Sequence, residues 1–193
     1  MAAKTTFVLP SGWVSGIAHH PSTHFNARPQ GCLPHLIVLH HISLPAGVFG
    51  GNTVDDLFMG RLVSTTDPAL EEVVGLRVSS HFFVRRTGEV IQYVSAKDRA
   101  WHAGVSRFEG VENCNDFSLG IEIEGTGSVP YCEGQYRALA RLIRVLARAY
   151  PIRAITGHEF IAPGRKSDPG PSFDWGYLRT LLPRRLRFVT CPQ

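Results

Sequence analysis

Apolar positions along the chain fall into short runs separated by Gly- and Pro-rich stretches, and their periods predict interleaved strands and helices. Residues 1–35 are broken by Pro10, Gly12, Pro21, Pro29, Gly31 and Pro34 and hold no period. Leu36-Ile37-Val38-Leu39 then predicts a buried strand. A loop rich in Gly and Pro covers 43–52, and Thr53-Val54-Asp55-Asp56 resembles a capping box opening a short helix through Leu62. Residues 64–76 read as a surface connection. Phe82-Phe83-Val84 and the run from Val90 to Val94 flank Thr87-Gly88, a hairpin signature.

Further on, Leu119, Ile121 and Ile123 alternate with Gly120, Glu122 and Glu124, which predicts a half-buried strand with both glutamates on one face. Between Pro130 and Pro151, Tyr136, Leu139, Ile143, Leu146 and Tyr150 recur at helical spacing, with Arg137, Arg141, Arg144 and Arg148 on the opposite side. Residues 152–156 predict another strand, and 173–182 a closing helix capped by Ser172. Strands and helices alternate without a repeat or a linker, so the 193 residues read as one α/β domain.

Composition narrows the class. With 44% hydrophobic and 19% charged residues the chain is a globular protein and not a disordered one. No apolar run reaches the roughly 18 residues of a membrane span, so no membrane association is expected. A net charge of +4 favours anionic ligands. No basic stripe or aromatic-lined basic stretch accompanies it, so nucleic acid is not an expected partner. Arg184, Arg185 and Arg187, like the helical arginines, read as solvated. The first ten residues lack the apolar segment of a signal peptide. Cys32, Cys114, Cys132 and Cys191 show no CxxC spacing, which fits free thiols in a reducing cytoplasm.

Nine histidines are the chemical peculiarity of the chain, yet no HExxH, Walker loop, GxGxxG or GxSxG is present. His40 lies where the first strand meets its loop, His158 just after the 152–156 strand, and Asp168 in Lys166-Ser167-Asp168-Pro169-Gly170-Pro171, a stretch stiffened by proline. Strand ends are where α/β folds gather ligands, and two imidazoles with one carboxylate suit hydrolytic zinc. Taken alone, these long separations favour capped or core histidines and a turn-forming aspartate.

Longer stretches carry more information. Leu39-His40-His41-Ile42-Ser43-Leu44-Pro45, Val78-Ser79-Ser80-His81-Phe82, Arg99-Ala100-Trp101-His102-Ala103-Gly104, the block from Cys114 to Glu122 and the block from Gly157 to Pro171 resemble, in order, the AmpD-type N-acetylmuramyl-L-alanine amidases. The likeness runs from about Gly12 to Leu182. It implies a mixed β-sheet flanked by helices, related to the peptidoglycan-recognition proteins. It also implies one zinc per chain on His40, His158 and Asp168, Glu122 as catalytic glutamate, and Lys166 near the scissile carbonyl. The implied substrate is a small soluble muropeptide of wall turnover, cut between (1,6-anhydro-)N-acetylmuramic acid and L-alanine during recycling in the cytoplasm. His41 stands where many relatives carry asparagine, which bears on substrate contacts and not on the metal.

The roles have physical content of their own. Amide hydrolysis needs a group to move the proton of water to the leaving amine, and Glu122 on the polar strand face suits this. Lys166 suits a developing oxyanion. Trp101 offers either a stacking face for a sugar or a core side chain, with His102 as a hydrogen-bond partner beside it. Arg77 and Arg107 read either as carboxylate contacts or as exposed residues. Glu124 reads as solvent-facing and Cys114 as a small buried hydrophobe. A monomer is expected. A muropeptide-binding module on the same fold would be expected to lack a ligand residue, and an amidase of intact peptidoglycan would need export.

Overall fold

The structure, a computed structural model, describes residues 6–192. The single-domain reading of residues 1–193 and the signal-peptide reading of the N-terminus therefore rest in part on Met1–Thr5 and Gln193, outside the described residues. The strands are β1 (Ala18–His19), β2 (Phe25–Ala27), β3 (Leu36–Ile42), β4 (Phe82–Val84), β5 (Val90–Gln92), β6 (Asp98–Ala100), β7 (Arg107–Phe108), β8 (Val111–Glu112), β9 (Ser118–Glu124), β10 (Ala154–Gly157) and β11 (Arg187–Val189). The α-helices are α1 (Thr53–Phe58), α2 (Glu133–Ala149), α3 (His158–Ile161) and α4 (Trp175–Thr180).

Seven strands form one mixed sheet in the order β1-β5-β4-β9-β3-β10-β11. Its centre is parallel, with β9, β3 and β10 side by side, and β4–β5 is the expected antiparallel hairpin. Ile37, Leu39, Leu119, Ile121, Ile123 and Ile155 point to one face, where α2 covers them with Tyr136, Leu139, Ile143 and Leu146. Arg137, Arg141, Arg144 and Arg148 lie exposed on the far side of α2, as the helical period requires. Among the described residues no helix is long and apolar enough to cross a membrane, and the four cysteines form no disulfide.

Several expectations are corrected. Strand β9 is buried on both faces, not one, because loops pack over the side that carries its polar residues. Glu124 is only 3% exposed and accepts the backbone N–H groups of Gly50 and Arg86, tying two loops to the end of the strand. Helix α1 stops at Phe58, before Gly60 at φ 72°, and its N-cap Asn52 makes no side-chain cap bond. Asp55 is instead drawn inward to Tyr93 Oη at 2.8 Å, His20 and Arg85. Helix α4 is capped by Asp174, which accepts from Tyr177 N–H at 2.8 Å, while the Ser172 hydroxyl donates to the Thr126 carbonyl. Residues 64–76 are more than a connection: they contain a 3₁₀ turn, Pro68–Val73, and lend Val73 and Leu76 to a cleft wall.

Candidate metal centre and its cleft

The register of the central strands builds the site. In the parallel β3–β9 pair His40 is level with Glu122, and β10 lies on the other side of β3. One residue past Gly157 of β10, His158 opens α3 beside His40. The loop after α3 returns Asp168 to the same point, anchored where Asp168 C=O accepts the Glu159 N–H at 2.9 Å.

Three donor atoms converge there. His40 Nδ1 lies 3.0 Å from His158 Nδ1 and 2.9 Å from Asp168 Oδ2, and His158 Nδ1 lies 3.1 Å from that same oxygen. Exposure is 2% for His40, 3% for His158 and 9% for Asp168. The outer ring nitrogens are engaged elsewhere: His158 Nε2–H donates to the Ala103 carbonyl at 3.0 Å, and His40 Nε2 faces His102 Nδ1 at 2.9 Å. Burial and the neighbouring His158 push His40 down to about 4, against the pull of Asp168, so the ring is neutral near pH 7. Burial alone would raise Asp168, but the two imidazoles hold it below the ordinary carboxylate range, so it is ionised. Two imidazole nitrogens and an ionised carboxylate oxygen therefore face one another at hydrogen-bond distance. Such a donor set can hold a cation, and two nitrogens with one oxygen fit Zn²⁺. Among the described residues these three form a cluster whose donor atoms can share one ion, all within 4.8 Å of one another.

The triangle opens into a cleft of about 500 Å³. Glu122 lines it, and its buried Oε2 has no hydrogen-bond partner. Burial, and then the charge of Asp168, raise the Glu122 carboxyl well above the usual range, while Lys166 pulls the other way. Lys166 is exposed on the cleft wall. His41 lines the wall half-buried, and burial lowers its pKa. Trp101 borders the cleft and is not a core residue. It donates Nε1–H to Asn26 Oδ1 at 2.6 Å and stacks on His24 with ring centres 6.0 Å apart. Arg77 sets its guanidinium 5.4 Å from the centre of the Trp101 ring. His102 packs edge-on to His40. Exposed Arg107 pairs with Glu112 at 3.4 Å. Cys114 is buried, as expected of a small hydrophobe, and burial raises its thiol to about 11.

Sequence reasoning missed part of the cleft. Leu57, Phe58 and Val78 form an apolar wall, and Arg165 closes another side while donating to the carbonyls of Ala103 and Val105. Arg165 had one available signal, its place next to Lys166. The apolar wall had none, because its residues come from separate stretches that also serve as core.

The family model described as N-acetylmuramoyl-L-alanine amidase matches residues 29–171. The chain is 49% identical over 177 residues to the 1,6-anhydro-N-acetylmuramyl-L-alanine amidase AmpD of Escherichia coli, covering 91% of this chain and 97% of that one. A crystal structure of an AmpD selenomethionine derivative superposes with a TM-score of 0.89 at 47% identity, covering 92% and 100%. The E. coli amidase AmiD, solved with the substrate anhydro-N-acetylmuramic acid-L-Ala-D-γ-Glu-L-Lys, is similar at 28% identity and a TM-score of 0.57, covering 80% of this chain and 60% of that one. A human peptidoglycan-recognition domain at 16% identity, covering 86% and 96%, shares the fold alone, with a TM-score of 0.57.

Proposed function

The chain belongs to the N-acetylmuramoyl-L-alanine amidase family, and on that premise we propose that it is a zinc-dependent hydrolase of the bond between 1,6-anhydro-N-acetylmuramic acid and L-alanine. The observation that carries the reading is the convergence of His40 Nδ1, His158 Nδ1 and Asp168 Oδ2, opening beside a buried glutamate oxygen without a partner. Bound there, zinc would supply Lewis acidity and bring the pKa of a water to roughly 7.

The chain's own residues do the rest. Glu122, with its proton affinity raised by burial, takes a proton at Oε2 and returns it to the leaving L-alanine nitrogen. Lys166 places its ammonium group on the wall where negative charge develops on the carbonyl oxygen. Trp101, held by Asn26 and His24, presents a rigid aromatic surface to the sugar, and the Leu57–Phe58–Val78 wall excludes water. Arg77 steadies the indole by a cation–π contact, and half-buried His41 meets the substrate from the cleft wall.

The substrate class is supported by the E. coli relative, whose name specifies the 1,6-anhydro sugar, and by the anhydromuropeptide seated in AmiD. In this reading the enzyme is a cytoplasmic monomer that recycles soluble turnover fragments. Metal analysis of the purified chain, paired with kcat/KM on anhydro and reducing muropeptides of identical peptide, tests it. One zinc per chain and a preference for the anhydro form are expected. Equal efficiency on both forms removes the anhydro preference, release of peptide from isolated sacculi removes the recycling role, and a zinc-free active enzyme removes the metal.

A further inference from the structure

A metal ligand at His40 Nδ1 needs the ring proton at Nε2, and the site leaves open what would hold it there. The answer lies in a chain of hydrogen bonds behind it. The buried Ser118 hydroxyl is 2.6 Å from the Cys114 carbonyl, which can only accept, so the serine donates its one proton there. Ser118 Oγ is also 3.1 Å from His102 Nε2 and, with its proton committed, accepts from it. A neutral His102 protonated at Nε2 has a lone pair at Nδ1, and that atom lies 2.9 Å from His40 Nε2. His40 must then carry its proton at Nε2, leaving Nδ1 bare.

From this we propose that His102 is a positioning residue for the metal ligand His40, its polarity set by Ser118 and the Cys114 carbonyl, and not a substrate contact. The wall behind it is built to hold the ring. Gly120 is level with the ring, and a Cβ there would fall 2.5 Å from His102 Cγ, so only glycine leaves room for it. The Gly120 N–H in turn donates to His81 Nδ1 at 3.1 Å, whose ring stands edge-on to His102. Outer partners of metal-bound histidines orient the ring and raise its basicity, with effects of about 10–100-fold on affinity when lost.

The inference rests on the zinc reading, and its test separates the two. Zinc affinity is measured by chelator competition on the full chain carrying His102→Gln or His102→Asn. Asparagine places its amide oxygen where Nδ1 sat and keeps an acceptor for His40, whereas glutamine moves its amide toward the Nε2 position. His102→Gln should weaken zinc by about 10–100-fold, and His102→Asn should stay within about threefold of the native chain. Both should leave KM unchanged. Native-like zinc affinity in His102→Gln with a raised KM would overturn the proposal and return His102 to the substrate. Ser118→Ala, a small change within the buried chain, should weaken zinc in the same direction if the His102 variants do not fold. Nitrogen-15 NMR of the metal-free native chain gives a readout without zinc. Protonation of His102 at Nε2 is expected, and protonation at Nδ1 would refute the relay. A native chain that binds no zinc would refute the metal reading instead, while the tautomer still decides the relay.

Discussion

The two faces of the central sheet are made by the same strands and are equally hidden from water, yet they are chemically opposite. Toward α2, strands β3, β4, β9 and β10 present Ile37, Leu39, Phe82, Val84, Leu119, Ile121, Ile123 and Ile155, a continuous apolar layer. On the other face β9 presents Ser118, Gly120, Glu122 and Glu124, and β3 passes from Leu36 and Val38 to His40. Burial therefore does not distinguish core from site. What distinguishes them is the hydrogen-bond account. Buried polar groups are costly unless matched, and Ser118 and Glu124 are matched by backbone groups. Glu122 Oε2 is left unmatched at the point where the face opens to the cleft. One face supplies stability, and the other spends part of it on an unmatched carboxyl and three converging donor side chains.

Substitutions on either face should separate these contributions. The largest effect is expected from His158→Ala, which should abolish zinc binding and amidase activity together, read by metal analysis and turnover on an anhydromuropeptide. Next comes Glu122→Gln, with a fall in kcat of about 10²–10⁴ at native zinc content. A fall of less than about tenfold would make Glu122 a structural residue. On the opposite face, Ile143→Ala should cost about 2–5 kcal/mol in denaturant unfolding while the zinc dissociation constant stays put. A change in zinc affinity there would show that the two faces are coupled through the strands.

The smallest expected effect is on pH dependence. His40 is lowered from 6.5 to about 4, so its contribution to the stability of the metal-free chain is complete above pH 6.5 and is lost as pH falls toward 4, at most roughly 3 kcal/mol. Asp168, also lowered, adds a loss of the same sign further into acid. Glu122, raised, acts oppositely, and its contribution fades as pH climbs through its folded-state value. The denaturation midpoint of the metal-free chain should fall between pH 6.5 and 4. His40→Asn should flatten that slope, and Ile143→Ala should leave it unchanged.

The apolar face was the legible one. The alternation of Leu119, Ile121 and Ile123 and the 3.6-residue spacing from Tyr136 to Leu146 are local signals, and strand, helix and packing face all follow from them. The donor set was legible only through the long motif resemblance, because His40, His158 and Asp168 stand 118 and 10 residues apart and no period links them. Strands of two or three residues, such as β1, β7, β8 and β11, are too short to carry a period, and β11 exists because β10 offers it an edge.

What the sequence determined by itself was the set of elements whose residues repeat at the spacing of their own backbone, and the presence of the chemical groups. Tertiary structure decided what those groups became. Glu122 and Glu124 share one strand face, but loops close over both, giving Glu124 two backbone donors and Glu122 none. His102 was placed behind His40, where a serine hydroxyl and a carbonyl leave its ring a single polarity. Partner and proton position depend on atoms contributed by distant segments, so they are properties of the folded packing and leave no period in the chain.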